Sequence, residues 1–267
     1  MKNRNDNENG ANRMEAYTGF AAVYDMFMDN IPYKEWSIYL EGLLKEYGVQ
    51  EGLVADLGCG TGKITEYLAL SGYDMIGVDN SVEMLSIAAD KKNAYKENDP
   101  RKQILYLEQD MRELELGGNV SAVVSICDSI NYILEEEGLL QVFQRVNYFL
   151  EDKGIFIFDL NTEHKYRDLL GDTNISENRE EASFIWENYY YLDEQINEYD
   201  LTIYVREEGN RFIRLEETHY QRAYSLEKIK EMLEQAGMKF ITAYDAFTKD
   251  APTEKCERMY IIAQKGN

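Results

Sequence analysis

Hydrophobic residues follow a helical spacing near the N-terminus of the chain. Between residues 15 and 47 they recur every three to four positions, and Pro32 separates two such runs. We therefore predict two helices before the first strand, within an N-terminal helical cap of residues 14–50. The preceding residues 1–13 are polar, Asn-rich and without periodicity, which predicts a disordered leader.

Beyond the cap, short apolar runs alternate with amphipathic segments. The predicted strands lie at residues 53–58, 73–79, 104–110, 120–126, 154–160, 239–245 and 258–264. The predicted helices lie at residues 63–71, 82–92, 136–150 and 225–236. This alternation is typical of a buried parallel sheet with right-handed crossovers. We predict a doubly wound α/β fold with a mostly parallel seven-stranded sheet, the last two strands adding an antiparallel edge.

Residues 183–224 interrupt the alternation with three successive strand-like runs joined by short turn sequences. They predict an antiparallel β insertion near the C-terminal third, within residues 171–224. Residues 51–170 and 225–267 then form the core of the protein.

Composition narrows the range of partners. The chain has 28 Lys and Arg against 50 Asp and Glu, a net charge of −22, which argues against a nucleic-acid partner. No apolar run approaches the roughly 18 residues that would cross a bilayer, so we expect a cytoplasmic protein without a membrane partner. Three cysteines far apart predict reduced thiols, and two histidines without partners at ligand spacing predict no metal site.

The most specific motif is the sequence Val-Ala-Asp-Leu-Gly-Cys-Gly-Thr-Gly-Lys at residues 54–63. Glycines at this place let the backbone turn sharply, so that a ligand can lie against bare peptide N–H groups at a helix N-terminus. Asp79 ends the second predicted strand, where a carboxylate can accept hydrogen bonds from both hydroxyls of a ribose. The two features predict a nucleoside-type cofactor; a tight turn without a ligand is the alternative.

The spacing of the glycines bears on which cofactor is bound. A dinucleotide fingerprint requires a third glycine at position 63, which is Lys63, so an NAD-dependent oxidoreductase is disfavoured. The actual pattern, with Asp56 two residues before Gly58, resembles the first motif of class I S-adenosylmethionine-dependent methyltransferases. The resemblance implies a Rossmann-like methyltransferase fold, S-adenosylmethionine as cofactor, and Asp56 near the cationic end of that cofactor.

Two further segments share this resemblance. In residues 109–112, Gln-Asp-Met-Arg, the family uses an Asp side chain and the next backbone N–H to bind the adenine edge. Residues 126–132 follow the fourth strand, at the edge of the sheet where ligands bind. Asp110 as a turn residue and Asp128 as a helix cap are the alternatives. The resemblance implies a cofactor site formed by Tyr24, Asp56, Gly58, Cys59, Gly60, Gly62, Asp79, Asn80, Met84, Asp110, Met111, Cys127 and Asp128.

Over nearly the whole chain after the leader, the order of segments resembles small-molecule N-methyltransferases, particularly amino-sugar N,N-dimethyltransferases and glycine N-methyltransferase-like enzymes. Its markers include Tyr17, the pair Tyr24-Asp25, the segment 217–219 (Glu-Thr-His) and Arg258. The resemblance implies a small-molecule acceptor, an amine, with the N-terminal helix closing over it. It also implies that the β insertion is a flap that covers the acceptor and allows a homodimer.

The catalytic candidates are Tyr132, His219 and Tyr17. Some amino-sugar enzymes have a histidine where this chain has Tyr132, so the sugar substrate is not carried over. Tyr132 or His219 can relay the proton that an amine loses. Ordinary core or strand positions are the alternatives for all three. Two alternative functions remain. One is an RNA methyltransferase, for which Arg206, Arg211, Arg214 and Arg222 of the insertion offer a local basic strip. The other is a non-catalytic S-adenosylmethionine-binding protein.

Overall fold

The computed structural model describes residues 20–207 and 209–266. The predicted leader and Tyr17 lie outside this range. The described residues form six α-helices: α1 (Ala21–Phe27), α2 (Tyr33–Glu46), α3 (Lys63–Leu70), α4 (Val82–Ala94), α5 (Glu136–Phe149) and α6 (Leu226–Gln235). They form eleven strands: β1 (Leu53–Leu57), β2 (Asp74–Asp79), β3 (Leu105–Glu108), β4 (Val120–Ser125), β5 (Leu150–Asn161), β6 (Asn174–Asn178), β7 (Ala182–Tyr191), β8 (Ile196–Arg206), β9 (Phe212–Arg222), β10 (Lys239–Asp245) and β11 (Arg258–Gln264).

Seven of the described strands form the central sheet, in the order β3-β2-β1-β4-β5-β11-β10. Strand β1 pairs in parallel with β2 and β4, whereas β11 runs antiparallel to β5 and β10. The predicted doubly wound α/β fold is confirmed. Strand β11 pairs with both β5 and β10, so the antiparallel strand lies inside the sheet and β10 forms its edge. Accordingly, the middle of β11 is buried, whereas β10 is mostly half-buried.

Helices cover both faces of this sheet. Successive side chains of a strand point to opposite faces, so neighbours such as Val54 and Ala55 join different apolar clusters. Ala55, Val123 and Phe156 pack with α5 and α6, while Val54, Val124 and Ile157 pack with α2 and α3. Burial on both faces holds the carboxyl ends of β1, β2 and β4 in a fixed arrangement at one edge.

The insertion forms a second, antiparallel sheet, β6-β7-β8-β9, here called the flap sheet (Asn174–Arg222). Three strands match the prediction. Strand β6 was missed because its sequence, Asn-Ile-Ser-Glu-Asn, is mostly polar and lies at the edge of the sheet. The inner face of the flap sheet packs against α1, in a cluster that includes Phe20, Val23, Phe27, Phe184 and Ile203. A homodimer through this sheet stays a prediction.

Two features are absent from the described part of the chain. Within residues 20–207 and 209–266, no helix combines the length and the apolar character that crossing a membrane requires. Across the same ranges, no group of three or more His, Cys, Asp or Glu side chains is placed to hold a metal ion. Cys59, Cys127 and Cys256 are free thiols.

Candidate active site

The loop between β1 and α3 needs its glycines. Gly58, Gly60 and Gly62 have φ values of 71°, 54° and 82°, a left-handed region that other residues enter at a cost. A Cβ atom on Gly58 would collide with Ser129, and one on Gly62 would collide with the hydroxyl of Tyr106. Space is open around Gly60, which lines a cavity. The loop therefore presents bare backbone to this cavity.

Asp79, at the end of β2, fixes this glycine loop. Its Oδ2 accepts a hydrogen bond from the backbone N–H of Gly60 at 2.7 Å, and its Oδ1 accepts one from Ser81 at 2.9 Å. Burial raises the pKa of Asp79, although these backbone donors oppose the effect. A carboxylate has about four acceptor positions, so both oxygens retain capacity for further donors from the cavity.

Asp56 lies at the end of β1, below the loop, and is 2% exposed. The hydroxyl of Thr65 donates a hydrogen bond to Asp56 Oδ2 at 2.6 Å. Burial raises the pKa of Asp56 to about 7, which outweighs the opposing effect of this hydroxyl. Because Asp56 also lines the cavity, a cationic group placed beside it would favour its ionised form.

Helix α1 covers the glycine loop from the other side. Asp25 accepts a hydrogen bond from the hydroxyl of Thr61 at 2.7 Å and lies 3.2 Å from the ammonium group of Lys91. The hydroxyls of Tyr24 and Tyr33 are 3.5 Å apart, and both side chains line the cavity. Tyr33 was missed because, at the first position of α2, it resembles an ordinary apolar helix residue.

Asp110 follows β3 and begins a short 3-10 turn. Its Oδ1 accepts hydrogen bonds from the backbone N–H of Arg112 at 2.8 Å and from the guanidinium Nε at 2.9 Å. The hydrogen bond with this guanidinium lowers the pKa of Asp110. Asp110 is thus a turn residue that also lines the cavity, together with Met111. Its contact with adenine stays a prediction.

The cavity that these segments enclose has a volume of about 810 Å³. Twelve residues named from the sequence line it: Tyr24, Asp56, Gly58, Cys59, Gly60, Asp79, Asn80, Met84, Asp110, Met111, Cys127 and Tyr132. Among the described residues, Gly62, Asp128 and His219 are not part of this lining. Further lining residues that the sequence did not single out include Tyr33, Ser81 and Ile133. Ligand cavities in proteins commonly have this size.

Tyr132 connects the cavity to two buried side chains of β9. Its hydroxyl lies 3.1 Å from His219 Nδ1, and His219 Nε2 lies 3.0 Å from Glu217 Oε2. His219 is 5% exposed and Glu217 is 2% exposed. Glu217 Oε1 also accepts a hydrogen bond from the backbone N–H of Phe20 at 2.7 Å. Glu217 was not named as a site residue, although a strand places residues two apart on the same face.

The carboxylate of Asp128 binds other side chains and is not part of the cavity lining. Asp128 Oδ1 accepts a hydrogen bond from Arg258 Nη2 at 2.6 Å, and Oδ2 accepts one from Gln221 Nε2 at 2.6 Å. Asp159 Oδ2 accepts a hydrogen bond from Arg258 Nη1 at 2.6 Å. Arg258 thus joins β11 to the ends of β4 and β5. Both carboxylate oxygens of Asp128 thus bind side chains of other strands, and its contact with the cofactor stays a prediction.

These residues fit S-adenosylmethionine. Bare backbone at Gly60 admits the cofactor close to the loop, Asp79 offers acceptors for ribose hydroxyls, and Asp56 suits a cationic group. A doubly wound sheet with an internal antiparallel strand, a glycine loop after β1 and an acidic residue after β2 define a class I S-adenosylmethionine-dependent methyltransferase.

Known proteins are similar to this chain. A family profile described as a methyltransferase domain matches residues 54–154. The chain is 35% identical over 250 residues to "Putative methyltransferase YqeM" of Bacillus subtilis (strain 168), which covers 93% of this chain and 97% of that protein. The chain therefore belongs to the S-adenosylmethionine-dependent methyltransferases. The predicted family, enzyme class and cofactor are confirmed.

Solved structures share the whole fold. An S-adenosylmethionine-dependent methyltransferase from Clostridium acetobutylicum ATCC 824 superimposes with a TM-score of 0.81 at 28% identity, over 94% of this chain and 99% of that one. The sugar N-methyltransferase KedS8 from Streptoalloteichus sp ATCC 53650 superimposes with a TM-score of 0.74 at 16% identity, over 92% and 93% of the chains. The second likeness is one of fold.

Proposed function

We propose that the protein transfers a methyl group from S-adenosylmethionine to the nitrogen of a small-molecule amine in this cavity. When bound, the cofactor supplies an already activated methyl group. The chain therefore mainly has to hold the acceptor nitrogen in line, about 3–3.5 Å from that group. The observation that carries the proposal is the hydrogen-bonded row from Tyr132 at the cavity to His219 and Glu217.

The row has the geometry of a proton relay. A carboxylate at Nε2 favours the tautomer of His219 with its proton on Nε2, so that Nδ1 accepts the hydroxyl proton of Tyr132. Tyr132 can then accept a proton from an amine while it passes its own proton to Nδ1. The imidazolium that forms lies beside Glu217, whose negative charge stabilises it. A nucleophile that carries no proton would have no use for this arrangement.

Charges on the flap sheet favour a small acceptor over RNA. The chain carries a net charge of −22. Three of the flap arginines lie within 4.0 Å of a glutamate carboxylate: Arg206 of Glu181, Arg214 of Glu216 and Arg222 of Glu136. Arginines that are paired in this way contribute little to a phosphate-binding strip. By its name, the sugar N-methyltransferase that shares the fold also methylates a nitrogen.

We propose separate roles for the core, the N-terminal cap and the flap from where their residues lie. We assign the core, residues 51–170 and 225–267, to cofactor binding. Helix α1, within the cap of residues 14–50, covers the glycine loop through Asp25. The flap, residues 171–224, supplies His219 and Glu217 behind Tyr132 and covers the acceptor side.

An acceptor screen tests the proposal. The protein is incubated with S-adenosylmethionine and matched pairs of small compounds, each amine or amino sugar beside the corresponding alcohol or acid, and release of S-adenosylhomocysteine is measured. Release that depends on the amine supports the proposal. Release with alcohols or acids alone would contradict the amine, and release with bulk tRNA alone would contradict the small acceptor.

The relay is tested on the amine that the screen identifies. Tyr132→Phe and His219→Ala should each lower kcat about 100-fold to 10,000-fold, the usual range for general acid–base catalysis, and change the dissociation constant of S-adenosylmethionine much less. If both variants turn over at the rate of the unaltered protein, the relay is abandoned while the amine assignment stands.

A further inference from the structure

Two consecutive residues after β4 have an unfavourable backbone conformation. Cys127 and Asp128 have φ values of 66° and 55°, in the left-handed region that favours glycine. Asp tolerates this region better than Cys does, because its short polar side chain can form local hydrogen bonds. Residues held in this way persist only where the surrounding structure over-determines them, and they concentrate at functional sites.

Asp159 of β5 holds this turn in place. Its Oδ2 accepts a hydrogen bond from the backbone N–H of Cys127 at 3.1 Å, and its Oδ1 accepts one from the N–H of Asp128 at 2.7 Å. The Asp159 side chain is fully buried, and Arg258 Nη1 donates to the same carboxylate at 2.6 Å. One carboxylate therefore binds both N–H groups of the strained pair and is itself fixed by the guanidinium of Arg258, whose side chain is 12% exposed.

The strained turn leads directly into residues at the active site. It is followed by a short 3-10 turn, Ser129–Tyr132. The hydroxyl of Ser129 lies 3.3 Å from the carbonyl oxygen of Gly58, so this segment touches the glycine loop. Tyr132, at the other end of the turn, lines the cavity. A relaxation of the backbone at Cys127 would displace both contacts together.

We propose that Asp159 is a positioning residue for methyl transfer. It holds Cys127 and Asp128 in the left-handed conformation and thereby places Tyr132 beside the acceptor and Ser129 beside the glycine loop. The inference rests on the proposed role of Tyr132. A structural ion pair between Asp159 and Arg258 would stabilise the fold equally well with any residue at position 127. The two roles therefore differ in how they depend on that residue.

The test is a comparison of Asp159→Asn in three backgrounds: unaltered, Cys127→Gly and Cys127→Ala. The two backbone N–H groups bind separate oxygens of Asp159, and an asparagine keeps only one of these oxygens, so one N–H group would face an amide NH2 and lose its acceptor. Glycine at 127 adopts the left-handed conformation without strain, whereas alanine removes the thiol but keeps the strain. The readouts are kcat for the identified amine and the dissociation constant of S-adenosylmethionine.

Asp159→Asn should lower kcat about tenfold or more in the unaltered and Cys127→Ala backgrounds, and less than about threefold in the Cys127→Gly background. The dissociation constant of S-adenosylmethionine should change less than kcat in each case. An equal loss of kcat in all three backgrounds would overturn the positioning role. This outcome is distinct from failure of the relay, in which Tyr132→Phe and His219→Ala both leave kcat unchanged.

Folding provides a second readout if Asp159→Asn does not fold by itself. Folding of the Asp159→Asn/Cys127→Gly protein, but not of the Asp159→Asn/Cys127→Ala protein, supports the proposal, because glycine then replaces the function of the carboxylate. If neither double variant folds, Asp159 is required by the fold whatever residue occupies position 127, and the proposal is wrong.

Discussion

Thr61 of the glycine loop donates a hydrogen bond to Asp25 of α1, with 2.7 Å between Oγ1 and Oδ1. The two residues are 36 positions apart, and the bond joins the N-terminal cap to the cofactor side of the cavity. Asp25 also lies within 4.0 Å of Lys63 and Lys91. The position of α1 is therefore coupled to the segment on which we place S-adenosylmethionine.

We expect Asp25→Ala to weaken binding of S-adenosylmethionine about tenfold, because Thr61 and two lysines lose their shared acceptor. Asp29→Ala is the matched control: Asp29 lies just after α1 but pairs with Arg179 of the flap sheet. Calorimetric titration with the cofactor measures both. The same loss in both variants would mean that α1 acts as a whole and that the bond to Thr61 has no specific effect.

Asp79→Ala should reduce the affinity for S-adenosylmethionine about 100-fold, because the cavity loses its ribose acceptor and the N–H of Gly60 loses its partner. Asp79→Asn should bind S-adenosylmethionine with an affinity between those of Asp79→Ala and the unaltered protein, since one oxygen acceptor remains. Asp74→Ala, at the exposed start of the same strand, should bind like the unaltered protein. An unchanged affinity in Asp79→Ala would remove the cofactor site from this loop.

Glu217→Gln should lower kcat for the amine about tenfold, because an uncharged amide stabilises the imidazolium of His219 less than a carboxylate does. Glu216→Gln, the neighbouring residue on the exposed face of β9, is the control and should change kcat little. Steady-state kinetics at several pH values measure both. Equal rates for Glu217→Gln and the unaltered protein would show that His219 needs no charged partner.

Asp56 should make the stability of the cofactor-free protein fall as pH rises from about 4 to about 7. Its pKa is about 7 in the folded protein against 3.8 in the unfolded chain, so over this interval the folded state retains a proton that the unfolded state has lost. The full difference is at most roughly 4 kcal/mol.

Urea denaturation at a series of pH values measures this dependence. Asp56→Asn keeps the shape of the side chain but cannot ionise, so its stability should decline less over the same interval. The difference between the two proteins isolates Asp56 from the other carboxylates. Parallel stability curves would show that Asp56 titrates normally. Bound S-adenosylmethionine, which places a cation nearby, should reduce the effect.

The central sheet could be predicted from the sequence because each of its strands has a local signal. Apolar runs of the right length, such as Val120–Ser125, alternate with helical periodicity, and burial on both faces follows from that pattern. Strand β6 has no such signal, because its side chains are mostly polar. It forms a strand because its backbone pairs with β7. The position of the antiparallel strand inside the sheet likewise depends on its neighbours.

The site divides along the same line. The sequence by itself determined the glycine loop, Asp79 and the class of cofactor, because the backbone demands of that loop act over a few residues and leave a fixed spacing. Only the tertiary structure decided that Glu217 contacts His219, which in turn contacts Tyr132. It also decided that Asp128 binds Arg258, 130 positions away, and does not line the cavity. Hydrogen bonds between distant segments form only after packing brings the segments together, and no local pattern encodes them.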